Sequence, residues 1–244
     1  MALFYVSEMP VRSRGIVEPE CHFDMTNEEI YQDLCLDRIS VEQPPTFEKR
    51  DFVIKELLDT EKNYVDVLSK LKNNFMQPLM SQMRPEDHNT VFFKIKELRD
   101  VHSEFLHELL KTKSTPALKL SNIFMRFREK FLLYGMYCAN LTKATTLLQE
   151  LCDNDEVFNQ AVIKYEKEDN NGRFKLRDVL SVPMQRILKY HLLLDKLIEN
   201  TDPVSIVTKE RHFEGWTHNT VKHMRIYCTN DVPSDSLKYS LSKS

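Results

Sequence analysis

Glycine is scarce in this sequence: only Gly15, Gly135, Gly172 and Gly215 occur in 244 residues. A P-loop and a dinucleotide-binding turn both need clustered glycines so that backbone amides can approach a phosphate. Neither can be built from these four. The five cysteines, Cys21, Cys35, Cys138, Cys152 and Cys228, form no CxxC pair and keep no ligand spacing with the eight histidines, so neither a metal site nor a disulfide framework is expected. They read as reduced thiols, the state expected in a cytoplasmic protein. No window approaches the roughly 20 apolar residues of a membrane span, and the short apolar run at the start has no basic stretch ahead of it, so no secretory signal is expected. A net charge of -3 and a pI near 6.3 argue against a nucleic-acid binder that works by neutralising phosphates. No useful length of alternating apolar and polar residues suggests strands.

What is present is helical periodicity. The opening 25 residues carry Pro10, Gly15 and Pro19 without period and read as a mobile tail. Thr26, Asn27, Glu28 and Glu29 then form a capping box, which predicts a short helix from Asn27 to about Asp37 with Ile30, Tyr31, Leu34 and Cys35 on one side. Three turns are too few to be stable alone, so this helix has to dock on something to form. After the stiff Pro44-Pro45 linker, a long helix is expected from Phe47 to Asn73, with Glu56 at the edge of its apolar arc. A break containing Pro78 is expected over 75–84, then helices from Pro85 to about Lys113, Leu118 to Cys152 and Asp155 to about Lys167. Phe124, Phe127, Phe131, Tyr134 and Tyr137 keep a core spacing rather than that of a platform for stacking bases. Asn170, Asn171 and Gly172 form a turn.

The strongest helix follows, starting where Ser181 precedes Val182-Pro183. Its buried face is expected to hold Met184, Ile187, Tyr190, His191, Leu194, Leu197 and Ile198, with Gln185, Lys189 and Lys196 opposite. Leu188 and Leu192 flank the polar side, and this mixed patch fits either a neighbouring core helix or a docked partner. Glu56 likewise fits either an ordinary surface charge or a contact. The fold class expected is all-α, an elongated bundle of long helices.

Three of these segments resemble a known family. Residues 54–68 (IKELLDTEKNYVDVL), 127–138 (FREKFLLYGMYC) and 170–194 (NNGRFKLRDVLSVPMQRILKYHLLL) resemble the three conserved regions of the Dbl-homology domain, the catalytic domain of Rho-family guanine nucleotide exchange factors. Residues 27–34 (NEEIYQDL) resemble the acidic inhibitory segment that precedes this domain in the Vav family. The resemblance implies a division into an N-terminal tail (1–25), an acidic segment with linker (26–45), a Dbl-homology domain (46–200) and a divergent, irregular C-terminal tail (201–244). Beyond Asn200 the motifs stop. The family's final long helix, its pleckstrin-homology domain and the calponin-homology domain ahead of the tyrosine are not recognisable, so a truncated or alternative form is expected.

The resemblance further implies a catalyst of GDP release with no catalytic side chain, metal or cofactor of its own. Its partner would be a Rho or Rac GTPase, gripped through Glu56, Gln185, Leu188, Lys189 and Leu192. Tyr31 would be the tyrosine whose helix covers that surface until a Src-type tyrosine kinase phosphorylates it, with recruitment to the membrane by partners. The alternative is an exchange-deficient truncated form that docks phosphotyrosine-reading domains through Tyr31 or acts as a dominant-interfering signalling protein.

Overall fold

A capping box starts the first helix where the spacing places it. In the computed structural model, which describes residues 26–36, 49–112 and 120–200, the Thr26 backbone amide donates to the Glu29 carboxylate at 2.7 Å. The Glu29 amide donates back to the Thr26 hydroxyl. From this cap runs α1 (Asn27–Tyr31), which widens into a π-helical turn over Gln32–Leu36. Ile30, Tyr31, Leu34 and Cys35 are all buried, as their spacing requires. The tails at 1–25 and 201–244 and the Pro44-Pro45 linker lie outside the described residues.

The bundle is built from α2 (Lys49–Lys70), α3 (Gln77–Leu79), α4 (Pro85–Val91), α5 (Ile95–Lys111), α6 (Leu120–Phe127), α7 (Leu133–Asn154), α8 (Glu156–Asn170), α9 (Leu176–Val179) and α10 (Val182–Glu199). Among the described residues every regular element is helical, which is the all-α fold expected. Helix α2 packs along α5, α4 along α7, and α7 along α8, while α10 lies against α2 and α7. Helix α1 is laid across α10, and its π-helical turn rests on α2.

Three expected boundaries differ. The break over 75–84 is helical as far as Gln82: a π-helical turn over Leu71–Met76 leads into α3, and Pro78 sits at the junction, where the Gln77 amide already reaches five residues back to Lys72 and the regular ladder is interrupted. The single helix expected from Pro85 is cut between α4 and α5 by Lys94, which takes φ 63°. The helix expected from Leu118 divides at Arg128–Leu132, between α6 and α7. At the end of α8, Asn171 and Gly172 both take positive φ, and their amides close back on Lys167 and Glu166 carbonyls.

The core is aromatic at its centre. Phe105 lies edge-on to Phe124 and Phe131, with ring centroids 5.0 and 5.2 Å away, and Phe131 stacks on Tyr190 at 5.8 Å. Phe124, Phe127, Phe131, Tyr134 and Tyr137 are all buried, which settles their role as core. Removing one such ring costs about 3–5 kcal/mol, so this cluster fixes how α5, α6, α7 and α10 sit together.

Candidate functional site

Helix α10 has a different buried face from the one expected. Arg186 and Leu193 belong to it, together with Ile187, Tyr190, Leu194 and Leu197, whereas Met184, His191 and Ile198 are only half-buried. The inward face is therefore centred on the line Arg186–Tyr190–Leu193–Leu197. Flanking it about a quarter turn round the helix, Gln185, Lys189, Leu192 and Lys196 fall at successive turns and form one strip, roughly 16 Å long at 1.5 Å per residue. Leu188 is half-buried against the core beside the strip, and Leu192 is 45% exposed. Glu56 on α2 reaches the far end of the strip, its carboxylate 3.6 Å from the ammonium of Lys196. The structure thus brings Glu56, Gln185, Leu188, Lys189 and Leu192 to one side of the α2–α10 pair.

Helix α1 occupies the near end. Lys189 donates to the carboxylate of Glu28. The Ser181 hydroxyl, just ahead of α10, donates to the side-chain oxygen of Asn27 at 2.9 Å. Asn63 on α2 donates to the Cys35 carbonyl at 2.8 Å, and Arg173 pairs with Asp33 at 2.7 Å. Between these polar contacts Tyr31 is inserted to 0% exposure.

What Tyr31 meets inside is a buried chain of polar groups. Arg186, itself fully buried, donates to the Tyr31 hydroxyl at 2.9 Å and to Glu61 at 2.7 Å. Tyr190 donates to the same Glu61 oxygen at 2.6 Å. The other Glu61 oxygen is 2.7 Å from Nδ1 of His102, whose Nε2 is 2.7 Å from the Tyr134 hydroxyl. Tyr134 in turn bonds Tyr64 at 2.8 Å. An ionised carboxylate can only accept, so Nδ1 of His102 carries the proton that faces Glu61. Burial pushes the Glu61 carboxyl up, but Arg186, His102 and Tyr190 together outweigh it and hold the group down at about 2. Burial pushes the Tyr31 phenol up to about 12, and Arg186 only partly offsets this, so the hydroxyl stays neutral. Burial also raises Tyr64, Tyr134 and Tyr190.

None of Glu61, His102 and Arg186 is flagged by periodicity read only through apolar residues. The signal is a charge or imidazole in phase with a core stripe. His102 falls on the line Leu98, Phe105, Leu109, and Glu61 lies between Leu57 and Tyr64 on the buried arc of α2. Among the described residues no group of histidine, cysteine and carboxylate side chains could hold a metal ion, and no helix is long and apolar enough to cross a membrane.

This all-helical bundle, with a tyrosine-bearing helix seated on its α2–α10 face, defines a class. Residues 53–211 match the RhoGEF domain, and the chain belongs to that family. Among its members the resemblance is to the Vav proteins. Protein vav of Drosophila melanogaster is 46% identical over 188 residues, covering 75% of this chain and 24% of that protein. The proto-oncogene vav of Rattus norvegicus is 40% identical over 213 residues, covering 86% and 25%. The chain thus spans about a quarter of the length of these curated relatives. A structure of autoinhibited Vav1 superposes with a TM-score of 0.67 at 33% identity, covering 82% of this chain and 36% of the other. An NMR structure of an autoinhibited Dbl homology domain superposes with 0.63 at 36% identity, covering 82% and 95%.

Proposed function

We propose that the chain is a guanine nucleotide exchange factor for Rho- and Rac-type small GTPases, held closed by the helix that carries Tyr31. The observation that carries this reading is the seating of Tyr31: it is fully buried on α10, while its neighbour Glu28 occupies Lys189 at the near end of the strip. Glu56, Gln185, Leu188, Lys189 and Leu192 form the surface for the GTPase. Such a factor does no covalent chemistry. It binds the nucleotide-free GTPase more tightly than the loaded one, and by reciprocity weakens nucleotide binding. The rate gain is that differential affinity and nothing else.

Phosphorylation of Tyr31 by a Src-type tyrosine kinase opens the site. A phosphate adds about -1.5 to -2 charges at neutral pH. At Tyr31 it would have to enter a filled pocket where the buried cation Arg186 is already matched by Glu61 at 2.7 Å, with Glu28, Glu29 and Asp33 close by along the chain. Desolvation and repulsion together then exceed what the Arg186 contact returns, and the helix leaves. The test is release of fluorescent GDP from a panel of Rho-family GTPases, with the parent chain, the chain phosphorylated at Tyr31, and Tyr31→Ala. Acceleration by the modified and substituted forms above the parent supports the reading. No acceleration by any form, with phosphotyrosine-reading domains captured by the phosphorylated one, would make the chain a docking protein instead.

A further inference from the structure

We infer that Asp33 and Arg173 form an electrostatic clamp that holds the Tyr31 helix down from outside the strip offered to the GTPase. This inference rests on the reading of that helix as a lid. The four polar contacts around Tyr31 are not equivalent. Glu28 uses Lys189 and Asn27 uses Ser181, so both reach α10 or the residue that starts it. The Asp33 contact reaches a different part of the molecule, the turn between α8 and α9.

Arg173 is held ready for that contact. The Asn170 side chain accepts from the Phe174 amide at 2.9 Å and donates to the Phe174 carbonyl at 3.2 Å, pinning the backbone on both sides of the turn. The Arg173 amide donates to the Asn170 carbonyl at 3.2 Å. Its guanidinium lies 5.2 Å from the centre of the buried Phe174 ring, a cation–π contact that orients it. The Arg173 side chain is 59% exposed while that of Asp33 is only 18% exposed. The carboxylate is thus the covered partner, and it loses its counter-charge if Arg173 is removed. A half-exposed pair of this kind shifts a docking equilibrium by a few-fold, and reversing one charge replaces attraction with repulsion. Because Arg173 is no part of the strip, it regulates the lid without belonging to the exchange surface.

The experiment uses the whole chain with Asp33→Arg, Arg173→Asp and both together. Two quantities are read: alkylation of Cys35, which lies on the Tyr31 segment itself and is buried while that segment is seated, followed by mass spectrometry of its own peptide, and GDP release. Each single reversal is expected to raise both by about 3- to 10-fold, and the double reversal to return both toward the parent. In a Tyr31→Ala background Arg173→Asp leaves GDP release unchanged. Single reversals with parental Cys35 alkylation, or a double variant as open as the singles, would overturn the clamp. If Tyr31→Ala leaves GDP release at the parental rate, the lid reading is what fails. The Cys35 data still decide the clamp in that case.

Discussion

Arg186 donates to the hydroxyl of Tyr31 at 2.9 Å and, through its other terminal nitrogen, to Glu61 at 2.7 Å. One buried cation therefore serves both the short N-terminal helix and the centre of the bundle. Seating of the tyrosine and packing of the core are coupled through that side chain.

Removing only the hydroxyl tests the coupling. Tyr31→Phe keeps the ring but leaves one Arg186 nitrogen without its acceptor, at a cost of about 1–3 kcal/mol to the seated state. Tyr31→Ala also removes the ring, at about 3–5 kcal/mol. GDP release should rise in the order parent, Tyr31→Phe, Tyr31→Ala. A Tyr31→Phe protein indistinguishable from the parent would mean that the Arg186 bond contributes nothing to closure.

Lys189 has to be tested with the lid already gone, because alone its loss weakens both the Glu28 contact and the proposed GTPase surface. With Tyr31→Ala in place, Lys189→Ala and Glu56→Ala should each lower GDP release by about tenfold, equivalent to about 1.4 kcal/mol. The melting temperature should not move, since both side chains are partly exposed. Equal loss of melting temperature and exchange would assign these residues to stability instead.

Glu61→Gln keeps the shape and removes the charge. Arg186 is then a buried cation without a counter-charge, a defect of about 3–5 kcal/mol. Circular dichroism should show a melting temperature lower by roughly 10 °C. A drop of only a degree or two would show that the guanidinium finds another partner or reaches water.

Acid should erase that difference. The Glu61 carboxyl is held at about 2 in the folded chain against an ordinary 4.5. A depressed carboxylate contributes stability that is complete above the unfolded value and is lost as pH falls through the folded one. The contribution is on the order of 3 kcal/mol, so the gap in urea midpoint between parent and Glu61→Gln should be full at pH 6 and narrow steadily between about 4.5 and 2. A gap constant down to pH 3 would assign the effect to packing.

The short helix was the most legible element, because a capping box and the spacing of Ile30, Tyr31, Leu34 and Cys35 specify both its start and its inward face. The outer strip of α10 was legible for the same reason: Gln185 and Lys189 are out of phase with the apolar residues. The interior polar chain was not. Apolar periodicity assigns charges outward by default, and only long-range pairing, Arg186 with Glu61 across 125 positions, makes an inward charge tolerable. An apolar-only reading leaves Arg186 off the inward face, and the expected face then leans toward His191 and Ile198. The break at Lys94 gave no warning either, since a left-handed lysine lacks the signature of glycine or asparagine.

The ammonium of Lys189 is already taken by Glu28, and this sets a ceiling. A partner that needs Lys189 meets a rival tethered to the same chain, so its observed affinity is the intrinsic one multiplied by the fraction of molecules with the helix away. Whatever removes the helix can then raise affinity by no more than the reciprocal of that fraction. The gain is the same factor for every competing partner, so activation of this kind alters how much is bound and not which partner is preferred.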